Sequence, residues 1–319
     1  MFGGKTRLGN LGGKPYVMPM RQLKWRREMA SKNTQLNKAK SAKEDEFYTQ
    51  LPDIEREVLN YEDYLRGKVV LCNCDDPTES KFWEYFRKNF EHLGLKKLVA
   101  THFDYDERKP TYKLEYSGNG EPVKTPLRGN GDFRSAECID LLQEADVVIT
   151  NPPFSLFRAY LAQLMEHDKK FLIIGNMIAC HYRDIRSLII GGKIWLGCRE
   201  KRDMKFLTKD NELQPVNAVW FTNLTHSRQN EELPLYEKYS PNRYPKYDNY
   251  DAIEVGKVKE IPADYYKEMG VPETFLTKHN PDQFELIGFD DQLIEDSAFY
   301  IDGKRKYARL VIKRKKGGA

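Results

Sequence analysis

The 319 residues, 40% apolar and 12% aromatic, suffice for one large or two ordinary domains with a buried core. No run of 18 apolar residues suggests a membrane span and no apolar leader is visible. Five cysteines are too few for a disulfide framework, so a reduced, cytoplasmic protein without a metal site is expected. The net charge of +4 conceals an asymmetry: residues 1–43 hold 11 Lys/Arg against one acid, residues 303–319 hold eight against none, and the 33 basic and 47 acidic residues between them leave the centre at −14. Basic ends of this kind suit polyanions, because each phosphate contact releases a counterion. Lys38, Lys40 and Lys43 are candidates in the first arm. A solvated tail is the alternative for residues 1–30, where Gly3-Gly4 and Gly12-Gly13 favour little fixed structure.

After Lys43 the composition changes. Glu46-Phe47-Tyr48-Thr49-Gln50 leads into Pro52, and Ile54, Val58, Leu59, Tyr61 and Leu65 recur at helical spacing up to Gly67. Lys68 to Cys74 reads as a buried strand ended by Asp75-Asp76-Pro77, and Ser80 to Phe90 as a helix with Phe82, Tyr85, Phe86 and Phe90 on one face. Strand, acidic turn and helix open a doubly wound α/β fold. The turn has no glycine, so it cannot approach a pyrophosphate closely, and a nicotinamide dehydrogenase is excluded. A plain helix-capping turn is the bland alternative.

Lys96 to Asp104 reads as the second strand. Residues 105–127 look like a decorating hairpin: Tyr112-Lys113-Leu114-Glu115-Tyr116 alternates, and Ser117-Gly118-Asn119-Gly120 is a turn. Gly129-Asn130-Gly131-Asp132-Phe133 follows, where two glycines permit close approach of backbone to ligand, or simply a turn before a helix at 135–144.

Ala145 to Thr150 is a short buried strand that Asn151-Pro152-Pro153-Phe154 stops abruptly, since two prolines remove two backbone donors. Such a corner puts side chains at the carboxyl edge of a sheet, where α/β proteins bind ligands. Asn151 offers a carbonyl to an amine and Phe154 a face to a flat ring. Together they suit a planar heterocycle with an exocyclic amine; a proline-rich turn is the alternative.

A helical pattern through Phe157, Tyr160, Leu161 and Leu164 comes next. Strands are expected at Lys170–Asn176, Lys193–Gly197 and Val216–Asn223, which brings the sheet to seven. The connection from Cys198 to Pro215 carries Arg199, Lys201, Arg202 and Lys205 and is expected to be a solvated loop. From Leu224 on, Tyr236, Tyr239, Tyr244, Tyr247 and Tyr250 interleave with Lys238, Arg243, Lys246, Pro241 and Pro245. Aromatic and basic groups side by side suit stacking on bases and phosphate contact, or else a tyrosine-rich loop packed on the sheet.

Several of these segments, in order, resemble the EcoRI-type adenine-specific DNA methyltransferases: Glu46 to Gln50, Asn73 to Pro77, Gly131 to Ser135, Thr150 to Arg158, Ile194 to Gly197, Tyr244 to Asp251, and Gly270-Val271-Pro272 through Ile287. The resemblance covers about residues 34–315. It implies a Rossmann-like S-adenosylmethionine-dependent fold with a seven-stranded mixed sheet, in a catalytic domain at 44–224. A basic arm at 1–43 would precede it and a target-recognition region at 225–319 would follow. In this family Phe47, Tyr48 and Thr49 would cover the methionine end of the cofactor and Asn73, Asp75 and Asp76 would hold it; Asp104 would meet the ribose, and Asp132 and Phe133 the adenine. Asn151, Pro152, Pro153 and Phe154 would be catalytic, with Asn151 also beside the cofactor, acting on an adenine flipped out of double-stranded DNA. Ser155, Arg158, Arg199, Arg202, Arg243, Tyr244, Lys246 and Tyr247 join Lys38, Lys40 and Lys43 as candidate DNA contacts. A monomer would suffice if the two strands are modified in separate events, and the oligomeric state stays open; neither a metal nor a membrane is expected, and any cognate restriction endonuclease would act separately. The same tetrapeptide also serves enzymes that methylate RNA adenine, cytosine N4 or protein glutamine, and a non-catalytic nucleic-acid-binding module is a further reading.

Overall fold

The computed structural model describes residues 48–74, 76–104, 109–198, 204–207, 213–226, 229–295 and 298–316. The chain enters through β1 (Tyr48–Thr49) and α1 (Leu51–Val58), where Pro52 sits in the first turn at no hydrogen-bonding cost. The helical pattern read through Leu65 is split: a 3-10 turn over Leu59–Tyr61 separates α1 from α2 (Glu62–Leu65), and Gly67 at φ +72° ends the segment. Then come β2 (Val69–Cys72), α3 (Lys81–Lys88), β3 (Lys97–Thr101), β4 (Tyr112–Tyr116) and β5 (Val123–Pro126). The Ser80 side chain caps α3 by accepting from the Phe82 amide at 3.2 Å. Next are α4 (Ala136–Glu144), capped by Ser135, and β6 (Val147–Thr150), α5 (Phe157–Glu166), β7 (Lys170–Asn176), α6 (Arg183–Ile190), β8 (Trp195–Leu196), β9 (Lys205–Leu207), β10 (Leu213–Pro215) and β11 (Ala218–Thr222).

The main sheet runs β5-β4-β3-β2-β6-β7-β11-β8, with β3, β2, β6 and β7 parallel and the outer pairings antiparallel. It has eight strands where seven were expected. The extra one is Val123–Pro126: the hairpin is present, but both its strands extend the sheet. A mostly exposed edge strand tolerates Pro126, because its missing donor faces no neighbour.

Central strands are buried on both faces, as parallel strands between helix layers must be. Val70, Cys72, Val147, Ile149, Leu172 and Ile174 face one apolar cluster with α1 and α3; Leu71, Val148, Phe171 and Ile173 face another with α4, α5 and α6. Among the described residues no helix is long and apolar enough to cross a membrane.

The remaining elements are β12 (Ile253–Glu254), β13 (Glu268–Val271), β14 (Phe284–Phe289), α7 (Asp290–Leu293), β15 (Tyr300–Ile301), β16 (Lys304–Arg305) and β17 (Leu310–Arg314). A second sheet has the order β12-β13-β17-β14. Its Ile253, Met269, Val271, Phe284, Leu310 and Ile312 belong to the same apolar cluster as Leu71 and Val148, and residues 45–319 form one compact unit. The change in composition near residue 225 therefore marks a change of sheet within continuous packing.

Candidate active site

From β2 the chain crosses to β3 on one side and later returns to place β6 on the other. The carboxyl ends of β2 and β6 are therefore the point where strand order reverses, the usual ligand cleft of an open α/β sheet. Asn73 follows β2 and Asn151 follows β6, and both are buried, with 4% and 8% of their surface exposed. The Tyr160 hydroxyl, on α5, donates to Asn73 Oδ1. Phe133 meets Tyr160 edge-on at 5.0 Å, and Gln163 Nε2, also on α5, donates to the Phe133 carbonyl at 3.0 Å. One helix thus ties together the loop after β2 and the loop before α4.

At the Asn151 corner, Thr150, Asn151 and Pro152 are buried, and Pro153, Phe154 and Ser155 are half-buried. Pro153 lies at φ −54°, ψ 129°, and its carbonyl accepts from the Leu156 amide at 2.9 Å, which starts the 3-10 turn Phe154–Leu156. The Phe154 ring stands edge-on to Phe206 at 6.5 Å. Phe206 is in β9, which pairs antiparallel with β1 so that Thr49 faces Phe206 and Tyr48 faces Leu207. The Tyr48–Thr49 segment and the Asn151 corner, distant in sequence, are thereby brought together through one ring.

Phe206 was missed. The solvated loop expected between Cys198 and Pro215 contains the strand Lys205–Leu207, with Phe206 and the preceding Met204 buried. The signal was the alternation Met204-Lys205-Phe206-Leu207, too short to stand out among basic neighbours. Two buried carboxylates on α1 were missed as well. Asp53 accepts from the Lys205 amide at 3.4 Å, and Glu57 from the Tyr61 hydroxyl at 3.0 Å and the Cys198 amide at 2.8 Å, so both hold the connection that delivers Phe206.

The candidate cofactor acids occupy adjoining loops. Asp76 Oδ1 accepts from the Thr78 amide and hydroxyl, each at 2.8 Å, and from the Tyr112 hydroxyl at 3.2 Å. Its Oδ2 lies 3.2 Å from His102 Nδ1, and the His102 ring stacks on Tyr112 at 5.0 Å. Burial, then the Asp76 charge, raises the Tyr112 phenol above its ordinary range. Asp104, beyond the end of β3, faces Lys109 Nζ at 3.2 Å, and its amide donates to the Asn130 carbonyl at 3.1 Å. Asp132 accepts from the Arg134 amide and Nε at 2.9 and 2.8 Å, and this pairing raises the guanidinium further. Gly131, at φ +77°, rests against the His102 carbonyl, which a Cβ there would overlap. Asp76, His102, Asp132 and Phe133 thus belong to loops in mutual contact. Phe47 and Asp75 lie outside the described residues, and of Tyr48 only the backbone is described.

The candidate DNA contacts divide. Arg158 donates to both oxygens of Asp184 at 3.0–3.2 Å and lies over the Tyr182 ring at 4.8 Å. Ser155 is in the 3-10 turn beside Phe154. Arg243 pairs with Glu237, and Lys246 with Asp251 at 2.8 Å, all at the surface. Tyr244 and Tyr247, in contrast, are buried: Tyr244 donates to the Glu260 carbonyl at 2.7 Å and Tyr247 to Glu254. For these two the packing alternative fits, because rings with only 3% and 5% of their surface exposed offer no face to a base. Lys38, Lys40, Lys43, Arg199 and Arg202 lie outside the described residues. A cavity of about 300 Å³ lined by Ile194, Trp195, Cys198, His226, Leu276 and His279 lies under β8 and includes none of residues 73, 76, 132 or 151.

Residues 35–315 match the family model described as adenine-specific methyltransferase EcoRI. The chain belongs to this family. It is 44% identical over 318 residues to the type II methyltransferase M.EcoRI of Escherichia coli, covering 89% of this chain and 97% of that protein. Against the type II methyltransferase M.MpnI of Mycoplasma pneumoniae the identity is 41% over 314 residues, 88% of this chain and 98% of the relative. No solved structure matches the chain. The adenine-specific methyltransferase family thus covers both sheets as well as the Asn151 corner.

Proposed function

We propose that this adenine-specific DNA methyltransferase carries out its chemistry at the Asn151 corner. The observation that supports this most directly is the placement of Asn151 and Asn73 at the two strand ends where the sheet order reverses, with Phe154 half-exposed beside them. An adenine stacked in a duplex hides its amine, so the base must leave the helix to reach this corner. Asn151 Oδ1 and the Pro152 carbonyl accept the two N6 hydrogens. Withdrawing them into hydrogen bonds leaves the nitrogen lone pair less delocalised into the ring. Phe154 holds the ring by stacking, an interaction of about 1–3 kcal/mol. The prolines keep the acceptors in place before the base arrives, so that the rate gain comes mainly from positioning.

The donor set suits S-adenosylmethionine, which supplies the methyl group when bound. Asp76, Asp104 and Asp132 on successive loops suit an ammonium, ribose hydroxyls and an adenine amine, and the sequence Asp75-Asp76-Pro77-Thr78-Glu79-Ser80 has no glycine to cradle a phosphate. Tyr48–Thr49 would close over the methionine end, carried by their pairing with β9. Residues 44–224 would then carry the chemistry in the cytoplasm and residues 225–319 the target recognition, with the basic arm at 1–43 and, in a type II setting, a separately acting endonuclease.

Nucleoside analysis of DNA incubated with the protein and cofactor tests the reading. N6-methyladenine is expected, and Asn151→Ala should reduce its formation by about 100-fold or more while DNA binding survives. Turnover above a few per cent in the variant, or methylation of cytosine or of RNA alone, overturns it.

A further inference from the structure

The Tyr244–Asp251 segment poses a question once Tyr244 and Tyr247 are seen to be buried: what do its polar residues hold? Asp248 and Asn249 clamp a hairpin. The Asp248 amide donates to the Tyr300 carbonyl at 2.8 Å, and Asn249 Oδ1 accepts from the Tyr300 amide at 3.2 Å while its Nδ2 donates to the Ala298 carbonyl at 3.0 Å. β15 and β16 pair as Tyr300 with Arg305 and Ile301 with Lys304, around a two-residue turn of Asp302 and Gly303, both at positive φ (50° and 69°). The amides of Asp302 and Gly303 both donate to the Asp248 carboxylate, at 3.3 and 2.8 Å. Beneath, Phe299 is sandwiched by Tyr247 at 4.4 Å and Tyr250 at 5.0 Å. The tyrosine-rich motif is therefore a socket.

The socket holds outward Lys304-Arg305-Lys306-Tyr307. Lys304 and Arg305 are exposed, and Tyr307 is 87% exposed, the most exposed large aromatic among the described residues. No described carboxylate pairs with Lys304, Arg305 or Lys306, whereas the neighbouring Arg309 is neutralised by buried Glu254. Three uncompensated cations in a row beside a bare aromatic ring have the chemistry of a nucleic-acid contact: point charges for phosphates and a ring face for sugar or base.

We infer that the hairpin Tyr300–Arg305 with Lys306 and Tyr307 is a DNA-contacting element, seated by Asp248 and Asn249. The inference rests on the reading of duplex DNA as substrate. The test measures duplex binding over a series of salt concentrations, with thermal stability and cofactor binding as controls of the fold. The triple variant Lys304→Ala/Arg305→Ala/Lys306→Ala should flatten the slope of log affinity against log salt by about 2–3, near 0.9 per lost phosphate contact, and weaken binding tenfold or more at low salt. Tyr307→Ala should weaken binding severalfold with the slope unchanged, and Asp248→Ala, which unseats the turn, should weaken binding in the same direction as the triple variant. Unchanged affinity and slope in the triple variant and in Tyr307→Ala, with the fold controls intact, overturn the inference; so does a loss of heparin binding with none of DNA. Because binding alone is read, failure here is distinct from failure of the Asn151 assignment, which would appear as residual turnover in Asn151→Ala.

Discussion

The corner after β6 and the segment Tyr244–Asp251 look alike on paper, each an aromatic and proline-rich run with polar residues, yet they do opposite things. At the corner the residues that stand out are themselves at the cleft: Asn151 sits at the strand-order reversal and Phe154 is only half-buried. In the tyrosine segment the prominent rings are turned inward. The Tyr247 hydroxyl donates to Glu254, which also binds Arg309 Nε at 3.0 Å, and burial followed by the Glu254 charge raises that phenol far above its ordinary range. The difference lies in the neighbours. An aromatic hydroxyl with a buried carboxylate in reach becomes structure, and what it supports is displayed instead.

The contrast predicts a double dissociation. Glu254→Ala leaves Arg309 and the Tyr247 hydroxyl without their buried acceptor, in a site where the two charged side chains are only 10% and 12% exposed. Breaking such a pair costs about 3 kcal/mol, several degrees in melting temperature for a chain of this size. Chemical denaturation should show that loss for Glu254→Ala and almost none for Asn151→Ala, whereas single-turnover methylation should show the reverse. If Asn151→Ala unfolds as readily as Glu254→Ala, the corner is structural and the comparison fails.

A smaller effect is expected inside the cleft. Tyr160→Phe removes the hydroxyl that donates to Asn73 and leaves this buried carbonyl with only the weak Cys74 thiol donor at 3.7 Å, a loss of about 1 kcal/mol. Because Asn73 is on the loop after β2 and Tyr160 on the helix after the corner, the variant should raise the apparent KM for cofactor more than it lowers kcat. A fall in kcat at unchanged KM would place Tyr160 with the base and not with the cofactor loop.

Much of this was legible beforehand, for identifiable reasons. The strands at 69–72, 97–101, 147–150 and 170–176 are buried on both faces and so read as continuous apolar runs. The end of the strand before Asn151 was legible because two prolines remove the backbone donors that a continuing strand would need. The strand at 123–126 was not, since an edge strand pairs through its backbone and Val123 and Lys124 carry no pattern. Nor were Asp53, Glu57 and Phe206, which act on segments far away in sequence: Lys205 is 152 residues from Asp53. The inward turn of Tyr244 and Tyr247 was invisible for the same reason, because Glu260 and Glu254 decide it.

The smallest predicted effect sharpens the comparison by pH. His279, after the 3-10 turn Glu273–Lys278, has its pKa lowered from the ordinary value near 6.5, mainly by burial and also by the charge of Lys315. Its Nε2 donates to the Phe284 carbonyl at 3.1 Å, a bond that favours the charged ring and only partly offsets the burial. The unfolded chain takes up a proton near the ordinary value while the folded one resists it. The stabilising contribution is therefore fully present above about pH 6.5 and is lost progressively as pH falls toward the lower folded value. His279→Gln retains an amide donor for Phe284 and removes the titration. Between pH 7.5 and 5.5 the melting temperature of the parent should fall more than that of the variant, with equal slopes above pH 7.5. Parallel curves across the whole range would mean that the ring titrates alike in the folded and the unfolded chain, and that burial does not hold it neutral.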